Sequence, residues 1–324
     1  MTHRGVRGPE FVNYISNILT LGNMKPEHIA AVTGPESLKM YNTAFTSAKV
    51  DPVNNYEPLE FLGDMTLNKI IVWCIPRRFP ELLNPENVKT MARLKINLIG
   101  KMKVAHIAQK LGTERYITCT DEEWTQSKNK MLEDTLEAFM GAIEYQIDAN
   151  VFPGAGYAIC YNIIRPVFDE MPISLRHEDL YDAVTRLKEV FDAFTKVLGI
   201  SKYETSMISD TPSRVFKTVV FSNIKSTRSK IGEATARSGK AAQNKAAEEG
   251  IKFLENKGFI RLRDTKDYAS MLPQRANIAV NNMGTYVRAT VTLDNVSAYG
   301  IGIGQTDRYD AVNRAAFAVL NKTR

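Results

Sequence analysis

The sequence is poor in cysteine and histidine, and the few residues it has are spread along the chain. Its cysteines, Cys74, Cys119 and Cys160, have none of the close spacings of a zinc site or a disulfide framework. We interpret them as core thiols of a protein from a reducing compartment. The four histidines make no metal-ligand or catalytic-triad spacing.

Long apolar runs are also missing. No stretch is long enough to span a bilayer, and the N-terminus lacks the apolar segment of a secretory signal. We therefore expect a cytoplasmic protein with no membrane contact, and leave an organelle or a viral factory open. The pattern Gly300-x-Gly302-x-Gly304 lacks the βαβ context of a dinucleotide loop, so no nucleotide cofactor is expected.

The composition is that of an ordinary globular protein. The 324 residues predict about two domains, each large enough to bury a core. Hydrophobic residues make up 44% and charged residues 24% of the chain. A net charge of +6 is compatible with nucleic-acid binding without being diagnostic of it.

Two stretches place acidic side chains on apolar helices. Read as a helix, residues 55–67 put Glu60 and Asp64 one turn apart on one face. Residues 131–143 repeat the arrangement with Asp134 and Glu137. The first pair alone is equally typical of exposed charges near a helix N-terminus. If the helices face each other, four carboxylates converge, which is the chemistry of metal-assisted phosphodiester hydrolysis.

Together the two stretches resemble the paired signatures of the ribonuclease III family. The run from Glu57 to Leu67 is similar to its E-x-L-E-F-L-G-D-x-x-L box, and the run from Asp134 to Ile143 is similar to its D-x-x-E-A-F-x-G-A-I box. The resemblance implies Mg²⁺-dependent cleavage of double-stranded RNA, with Mn²⁺ as an acceptable substitute, leaving 5′-phosphates and short 3′ overhangs.

The resemblance also implies roles for individual residues. Glu60, Asp64, Asp134 and Glu137 would hold the metal ions, and Glu57 would be an outer or RNA-contacting group. The family forms homodimers, in which Phe61 would insert into the partner subunit and Gly63 would permit close approach. A further family glutamate falls here on Val88, and whether Glu86 replaces it stays open.

The predicted fold class is α+β with several domains. An all-α endonuclease domain over residues 1–174 precedes an α-β-β-β-α segment over 175–262 and a degenerate α+β module over 263–324. In the first domain we expect helices over 54–76, 88–111 and 129–148. The first ends near Pro76, because proline disfavours helix at the residue before it.

The middle segment resembles a double-stranded-RNA-binding domain. We expect a helix over 180–198, strands over 215–221 and 223–231, a loop over 232–240 and a helix over 241–256. The basic clamp of such domains matches here only at Lys240. A domain of this fold with weak or no RNA contact is the alternative. The residues that the resemblance assigns to RNA contact in this segment are Glu189, Arg214, Arg237, Lys240 and Lys245.

The last segment contains a faint internal repeat. Asn313-Arg314-Ala315-Ala316 can be set against Asn244-Lys245-Ala246-Ala247, and strands are expected over 278–280, 286–293 and 298–304 before a helix over 309–321. Without a basic clamp this module is interpreted as an interaction or dimerisation module. For the whole chain, the alternative function is a non-catalytic scaffold that binds or sequesters double-stranded RNA.

Overall fold

The computed structural model describes residues 2–210, 214–222, 227–263, 266–304 and 306–323. The chain divides into two compact units, Met1–Leu175 and Arg176–Arg324. Within the described ranges, no helix combines the length and apolar character needed to cross a membrane. The division of the second unit at residue 262 stays a prediction.

The first unit is almost entirely helical. A short antiparallel pair joins β1 (Thr2–His3) to β2 (Cys119–Thr120), and 3₁₀ turns cover Pro80–Leu82, Pro85–Asn87 and Thr113–Tyr116. The helices are α1 (Pro9–Leu21), α2 (Pro26–Val32), α3 (Pro35–Ala44), α4 (Glu57–Arg78), α5 (Val88–Leu98), α6 (Lys101–Lys110), α7 (Asp121–Asn150) and α8 (Ala155–Glu170).

Helix α7 forms the centre of this unit. It is buried over most of the span from Met131 to Ile147, as expected for a helix that is apolar on nearly every side. Phe139 on this helix packs against Tyr14, Tyr41 and Phe45, with ring centroids 5.0–6.0 Å apart. The position of α7 is therefore fixed by apolar packing and does not depend on its acidic side chains.

The predicted start of this helix at residue 129 was wrong. The helix begins at Asp121, because Thr120 and Glu123 form a capping box. The Thr120 hydroxyl accepts from the Glu123 N–H at 3.2 Å, and the Glu123 carboxylate accepts from the Thr120 N–H at 2.9 Å. Ser127 has non-helical angles, so the helix is kinked there. The first turns of the helix are polar, so they show no apolar periodicity from which a helix could be predicted.

Other helix boundaries also differ from the predictions. Helix α4 continues to Arg78 with Pro76 inside its last turn, although an end near Pro76 was expected. Val72, four residues earlier, is exposed, so water can reach the carbonyl group that loses its N–H partner. The helix predicted over 88–111 is two helices, because the chain leaves helical geometry at Gly100.

Helices α4 and α7 touch through glycine. A Cβ added at Gly63 would lie 1.7 Å from the carbonyl oxygen of Glu137, and one added at Gly141 would lie 2.3 Å from that of Leu59. Gly63 is buried by this contact. The close approach that Gly63 permits here is between two helices of the same chain, and its place at a dimer interface stays a prediction.

The second unit begins with three short helices and a sheet. Its first part comprises α9 (His177–Leu180), α10 (Ala183–Ala193), α11 (Thr195–Leu198), β3 (Lys202–Ser209), β4 (Val215–Ser222), β5 (Ser229–Ala236) and α12 (Gly239–Asn256). The strands form an antiparallel sheet in the order β3-β4-β5. The single helix predicted over 180–198 was wrong, because Tyr181 is extended and the Asp182 side chain caps a new helix by accepting from the Thr185 N–H at 2.9 Å.

Two strand predictions in this part were incomplete or wrong. Three strands were expected, but the residues of the first, β3, were not located, because most of its side chains are exposed and show no apolar alternation. The predicted loop over 232–240 is strand as far as Ala236. Position 232 of that strand requires glycine, because an added Cβ would be 2.2 Å from the Ala246 carbonyl oxygen on α12. Residues 223–226 of the strand predicted over 223–231 lie outside the described residues.

The last part of the unit is a second sheet with one helix. It consists of β6 (Asn277–Asn282), β7 (Val287–Leu293), β8 (Val296–Gly302) and α13 (Asp307–Lys322), close to the predicted positions. The sheet is antiparallel in the order β6-β7-β8. Ile301 belongs to the same buried cluster as Leu187 and Phe259, and its N–H donates to the Gly258 carbonyl at 2.9 Å. The two parts of this unit therefore share a core.

The faint repeat has a structural counterpart. The Asn244 side chain on α12 accepts from the Ala183 N–H at 3.0 Å, and Asn313 on α13 accepts from the Ala269 N–H at the same distance. Gly300 on β8 contacts α13 as Gly232 contacts α12, since its added Cβ would be 2.1 Å from the Ala311 carbonyl oxygen. Each asparagine thus ties the segment that precedes a sheet to the helix that follows it.

Candidate active site

The four predicted carboxylates line one open cavity of the first unit. Glu60 and Asp64 extend from α4, and Asp134 and Glu137 extend from α7. The cavity has a volume of about 680 Å³. Because α4 and α7 meet at Gly63 beside Glu137, the two acidic helix faces are held close to each other.

Burial and mutual repulsion act on these acids. Burial, together with the charges of Asp64 and Glu133, raises the pKa of Glu137 to about 8. Burial, together with Asp134, raises the pKa of Glu60 to about 7, and Lys130 opposes this rise. Such a concentration of poorly solvated negative charge favours a bound cation.

Neighbouring side chains orient two of the acids. The Tyr56 hydroxyl donates to Asp134 Oδ2 at 2.9 Å, and the Lys130 ammonium donates to the same oxygen at 2.5 Å. Asn68 Nδ2 donates to Asp64 Oδ1 at 2.6 Å. The other oxygen of Asp134 and the other oxygen of Asp64 receive no bond from these three groups, so each can face the cavity.

Several cavity residues were not predicted from the sequence. Tyr56, Lys101, Lys130 and Glu133 all line the cavity beside the four acids. Lys130 could have been found, because it lies one helical turn before Asp134 on the same face. Glu133 could also have been found, because it lies one helical turn before Glu137 on α7, whereas Lys101 comes from another helix and had no sequence signal.

The donor set fits a hard divalent cation in type and in charge. Among the described residues, no three Asp, Glu, His or Cys side chains already converge closely enough to share one ion. The cavity nevertheless presents carboxylate oxygens and no sulfur or imidazole ligand. Mg²⁺ prefers oxygen ligands and keeps several waters, so it requires only a few carboxylates around a roomy site.

Glu86 and Val88 lie apart from this cavity. Both are exposed, Glu86 in the 3₁₀ turn before α5 and Val88 at the first position of α5. Neither is among the residues that line the cavity, whereas Glu133 is. Whether Glu86 takes the place of the missing family glutamate stays a prediction, with Glu133 as the better-placed acid.

Glu57 and Phe61 lie on the exposed side of α4. Glu57 is at the first position of the helix and lines the cavity mouth. The Phe61 side chain is 73% exposed and also reaches the mouth, and it is followed along the helix by exposed Leu62 and Met65. An apolar strip of this kind on an otherwise well-packed helix is typical of an interaction surface.

The residues predicted to contact RNA in the second unit have different surroundings. Arg237 precedes α12, and Lys240 and Lys245 lie in its first half, all of them exposed. Arg214 is exposed and pairs with Asp210 at 3.1 Å. Glu189 is held within the unit by His177, Arg261 and Arg263, at 2.9–3.2 Å.

Comparison with known proteins places these observations in a family. The Ribonuclease III domain family matches residues 57–146, which contain both acidic stretches. A protein of Invertebrate iridescent virus 6, provisionally named ribonuclease 3, is 38% identical over 267 residues, covering 78% of this chain and 90% of its own length. A Frog virus 3 protein with the same provisional name is 38% identical, and the match spans 57% of this chain and 50% of that protein.

Bacterial proteins and solved structures extend the comparison. The ribonuclease 3 of Acinetobacter baylyi is 29% identical over 68% of this chain and 90% of its own length. The nuclease domain of a Campylobacter jejuni ribonuclease III covers 48% of this chain and 98% of that domain, with 21% identity and a TM-score of 0.37. Dicer from Pichia stipitis gives 18% identity and a TM-score of 0.31 over 67% of this chain and 94% of that chain.

Proposed function

Because this chain belongs to the ribonuclease III family of endoribonucleases, we propose that it hydrolyses double-stranded RNA with the help of Mg²⁺. The products would carry 5′-phosphates and short 3′ overhangs, and Mn²⁺ would substitute for Mg²⁺. The observation that carries this proposal is the cavity that Glu60, Asp64, Asp134 and Glu137 line from two helices in backbone contact.

The four acids would hold the metal. A divalent ion bound there supplies a water of lowered pKa and stabilises charge on the leaving oxygen. The chain itself supplies orientation: Tyr56 and Lys130 fix one oxygen of Asp134, and Asn68 fixes one oxygen of Asp64. The Lys101 side chain lines the same cavity, where its positive charge would attract a phosphate of the backbone. Glu57 at the mouth would contact the RNA or an outer water.

The first part of the second unit would bind the duplex. The element order α10-α11-β3-β4-β5-α12, with two short helices before the sheet and one helix after it, supports a double-stranded-RNA-binding domain over 175–262, and residues 263–324 would be a degenerate copy of it. Arg237, Lys240 and Lys245 would contact phosphates from the start of α12, with Arg214 as a further exposed cation. Glu189 would reach a minor groove only if its contacts with the two arginines and His177 leave it accessible. Such binding reads A-form shape and backbone, with little dependence on sequence.

The enzyme would act as a homodimer. Phe61, Leu62 and Met65 form an exposed apolar strip on α4, beside the cavity that holds the acids. Burying such a strip against a second copy would place two sets of acids on one duplex. We place the reaction in the cytoplasm or a viral factory, which the three buried free cysteines support as a reducing setting.

A cleavage assay tests the proposal against the alternative of a non-catalytic scaffold. Plain duplex RNA is incubated with the full chain in the presence and in the absence of Mg²⁺. Mg²⁺-dependent products with 5′-phosphates are expected. Tight duplex binding with no cleavage at any Mg²⁺ or Mn²⁺ concentration would favour the scaffold, in which four converging acids have no chemical purpose.

A further inference from the structure

A second cavity lies within the second unit, among groups that the proposed nuclease reaction does not use. Its volume is about 320 Å³. Its lining includes the guanidinium groups of Arg186, Arg261 and Arg263, the imidazole of His177, and apolar or aromatic side chains, Phe317 among them. Pockets of a few hundred cubic ångströms that combine an apolar wall with a few polar groups are typical small-ligand sites.

The arginine side chains that line the cavity are only partly engaged by acceptors of the protein. Arg261 and Arg263 share one carboxylate, Glu189, at 3.1 and 2.9 Å, and His177 Nε2 lies 3.2 Å from the same carboxylate. The Nε of Arg186 is buried and has no hydrogen-bond partner. Nδ1 of His177 is also buried and has no hydrogen-bond partner. A buried polar atom without a partner costs free energy unless a ligand or water completes it.

Two further acids line the cavity. Glu178 lies 3.6 Å from Arg176, which does not line the cavity. Burial raises the pKa of Glu255, while Arg186 and Arg263 oppose that rise. Arg261 and Arg263 share the one carboxylate of Glu189, and a guanidinium carries several N–H donors, so the arginines that line the cavity keep donors for the oxygens of a small anion.

We propose that this cavity binds a phosphomonoester attached to a nucleoside, either as a free nucleoside 5′-monophosphate or as the 5′-phosphorylated end of an RNA strand. The phosphate accepts hydrogen bonds from Arg186 and from the outer faces of Arg261 and Arg263, and the fork of each guanidinium suits phosphate oxygens. The base lies against Phe317 and the neighbouring apolar wall, since aromatic faces stack on any base. The volume admits one nucleotide and excludes a duplex.

Calorimetric titration of the full chain with adenosine 5′-monophosphate, in a chelator and without Mg²⁺, tests this site. Saturable binding is expected, and it should be tighter than binding of adenosine alone or of inorganic phosphate alone. Arg186→Gln should weaken the affinity about tenfold or more, because a charge-assisted hydrogen bond is lost. Arg275→Gln removes the same charge at an exposed pair with Asp294 outside the cavity, and it should leave the affinity unchanged.

Arg186→Gln is the preferred variant because its Nε holds no acceptor inside the protein. If that variant unfolds at a lower temperature than wild type, Arg263→Lys serves as the second variant, since it keeps the charge and loses the two-pronged geometry. It should also weaken nucleotide binding. No saturable binding to wild type, or equal affinities for the Arg186 and Arg275 variants, would overturn the proposal.

Competition separates the two sources of the ligand. A short single-stranded RNA with a 5′-phosphate and its 5′-hydroxyl twin are added to the nucleotide complex. Displacement by the phosphorylated strand alone identifies an RNA end as the ligand, and no displacement by either identifies the free nucleotide. Because binding is measured without Mg²⁺, this outcome does not depend on whether the protein cleaves duplex RNA.

Discussion

Lys130 and Asp134 form an ion pair across one helical turn at the edge of the acidic cavity, with Nζ 2.5 Å from Oδ2. The aspartate side chain is buried and the lysine side chain is half exposed. The ammonium therefore holds one oxygen of a proposed metal ligand while standing where a divalent ion would also be attracted. We therefore expect it both to orient the acid and to compete with the ion.

Lys130→Met should separate these two effects. Without the ammonium, Asp134 is less well oriented, so maximal cleavage should fall about tenfold, as for a lost positioning contact. The Mg²⁺ concentration giving half-maximal cleavage should fall as well, because a competing positive charge is gone. Both are read from initial cleavage rates over a Mg²⁺ series. A higher Mg²⁺ requirement in the variant would show that Lys130 does not compete with the ion.

Glu137→Gln tests the ligand set. The amide keeps the size and loses the charge, so cleavage should fall about a thousandfold or more while duplex binding is retained. The matched control is Glu86→Gln, the same change at an exposed acid outside the cavity, which should cleave like wild type. A large loss in the Glu86 variant would mean that this residue does replace the family glutamate absent at Val88.

The stability of the metal-free protein should depend on pH through Glu137. Its folded pKa is about 8 against an ordinary value of 4.5, so the folded state binds the proton more tightly. The resulting stabilisation is complete below pH 4.5 and is lost as the pH rises through about 8. The charges that face Glu137 are those of Asp64, Glu133, Glu60 and Asp134, with Lys101 and Lys130 also lining the cavity.

Thermal unfolding in a chelator, at about pH 5 and about pH 9, measures this effect. Glu137→Gln cannot ionise, so its unfolding temperature relative to wild type should be higher at the upper pH than at the lower one. A constant difference between the two proteins across the range would mean that Glu137 is not held in a repulsive, poorly solvated site.

Phe61→Ala should weaken self-association. A buried aromatic anchor contributes about 2 kcal/mol or more to an interface, or about a thirtyfold change in Kd. Phe152→Ala is the control, because Phe152 is similarly exposed, at 68%, and lies beyond the end of α7. Sedimentation over a concentration series gives both constants. Equal dimer stability in the two variants would remove the α4 strip from the interface.

Lys240→Ala should weaken duplex binding with a smaller dependence on salt. One lost phosphate contact releases about one counterion fewer, so the slope of log K against log salt should fall by roughly one unit. The loss should be equal for all duplex sequences, since phosphate contacts carry no base information. Lys252→Ala is the control, because Lys252 is on the same helix and pairs with Glu249.

This binding experiment uses the full chain with Glu137→Gln, because the two parts of the second unit share a core around Ile301 and Phe259. An unchanged slope in Lys240→Ala would mean that the duplex does not contact the start of α12. A shallow slope is expected for wild type too, since only one residue of the usual clamp is in register.

The sequence was most informative where charge and helical spacing coincide. Glu60, Asp64, Asp134 and Glu137 could be grouped in advance because acids are rare on apolar helices and recur at one-turn spacing. Where local spacing carries no signal, prediction failed. Lys101 enters the cavity from a separate helix, so no spacing along α7 pointed to it. Glu133 was missed although it lies one turn before Glu137 on the same helix.

Glycine was the residue most easily misread. Gly232 was assigned to a loop, whereas it lies in β5 and lets that strand touch α12. Gly63 was expected only at a dimer interface, which stays a prediction, and its contact with α7 of the same chain was not foreseen. A sequence shows that a glycine is present but not which backbone approaches it. The residues of strand β3 were not located in the sequence for a related reason. The strand is defined by its hydrogen bonds to β4, and its exposed side chains show no apolar alternation.

The contact between α4 and α7 has a consequence for how the enzyme can vary. Gly63 and Gly141 let main chain meet main chain, so no side chain can adjust the distance between the two acidic helices. A methyl group at either position would move Glu60 and Asp64 away from Asp134 and Glu137 together, with every ligand still present. The spacing of the acids thus depends on two residues that have no functional group of their own.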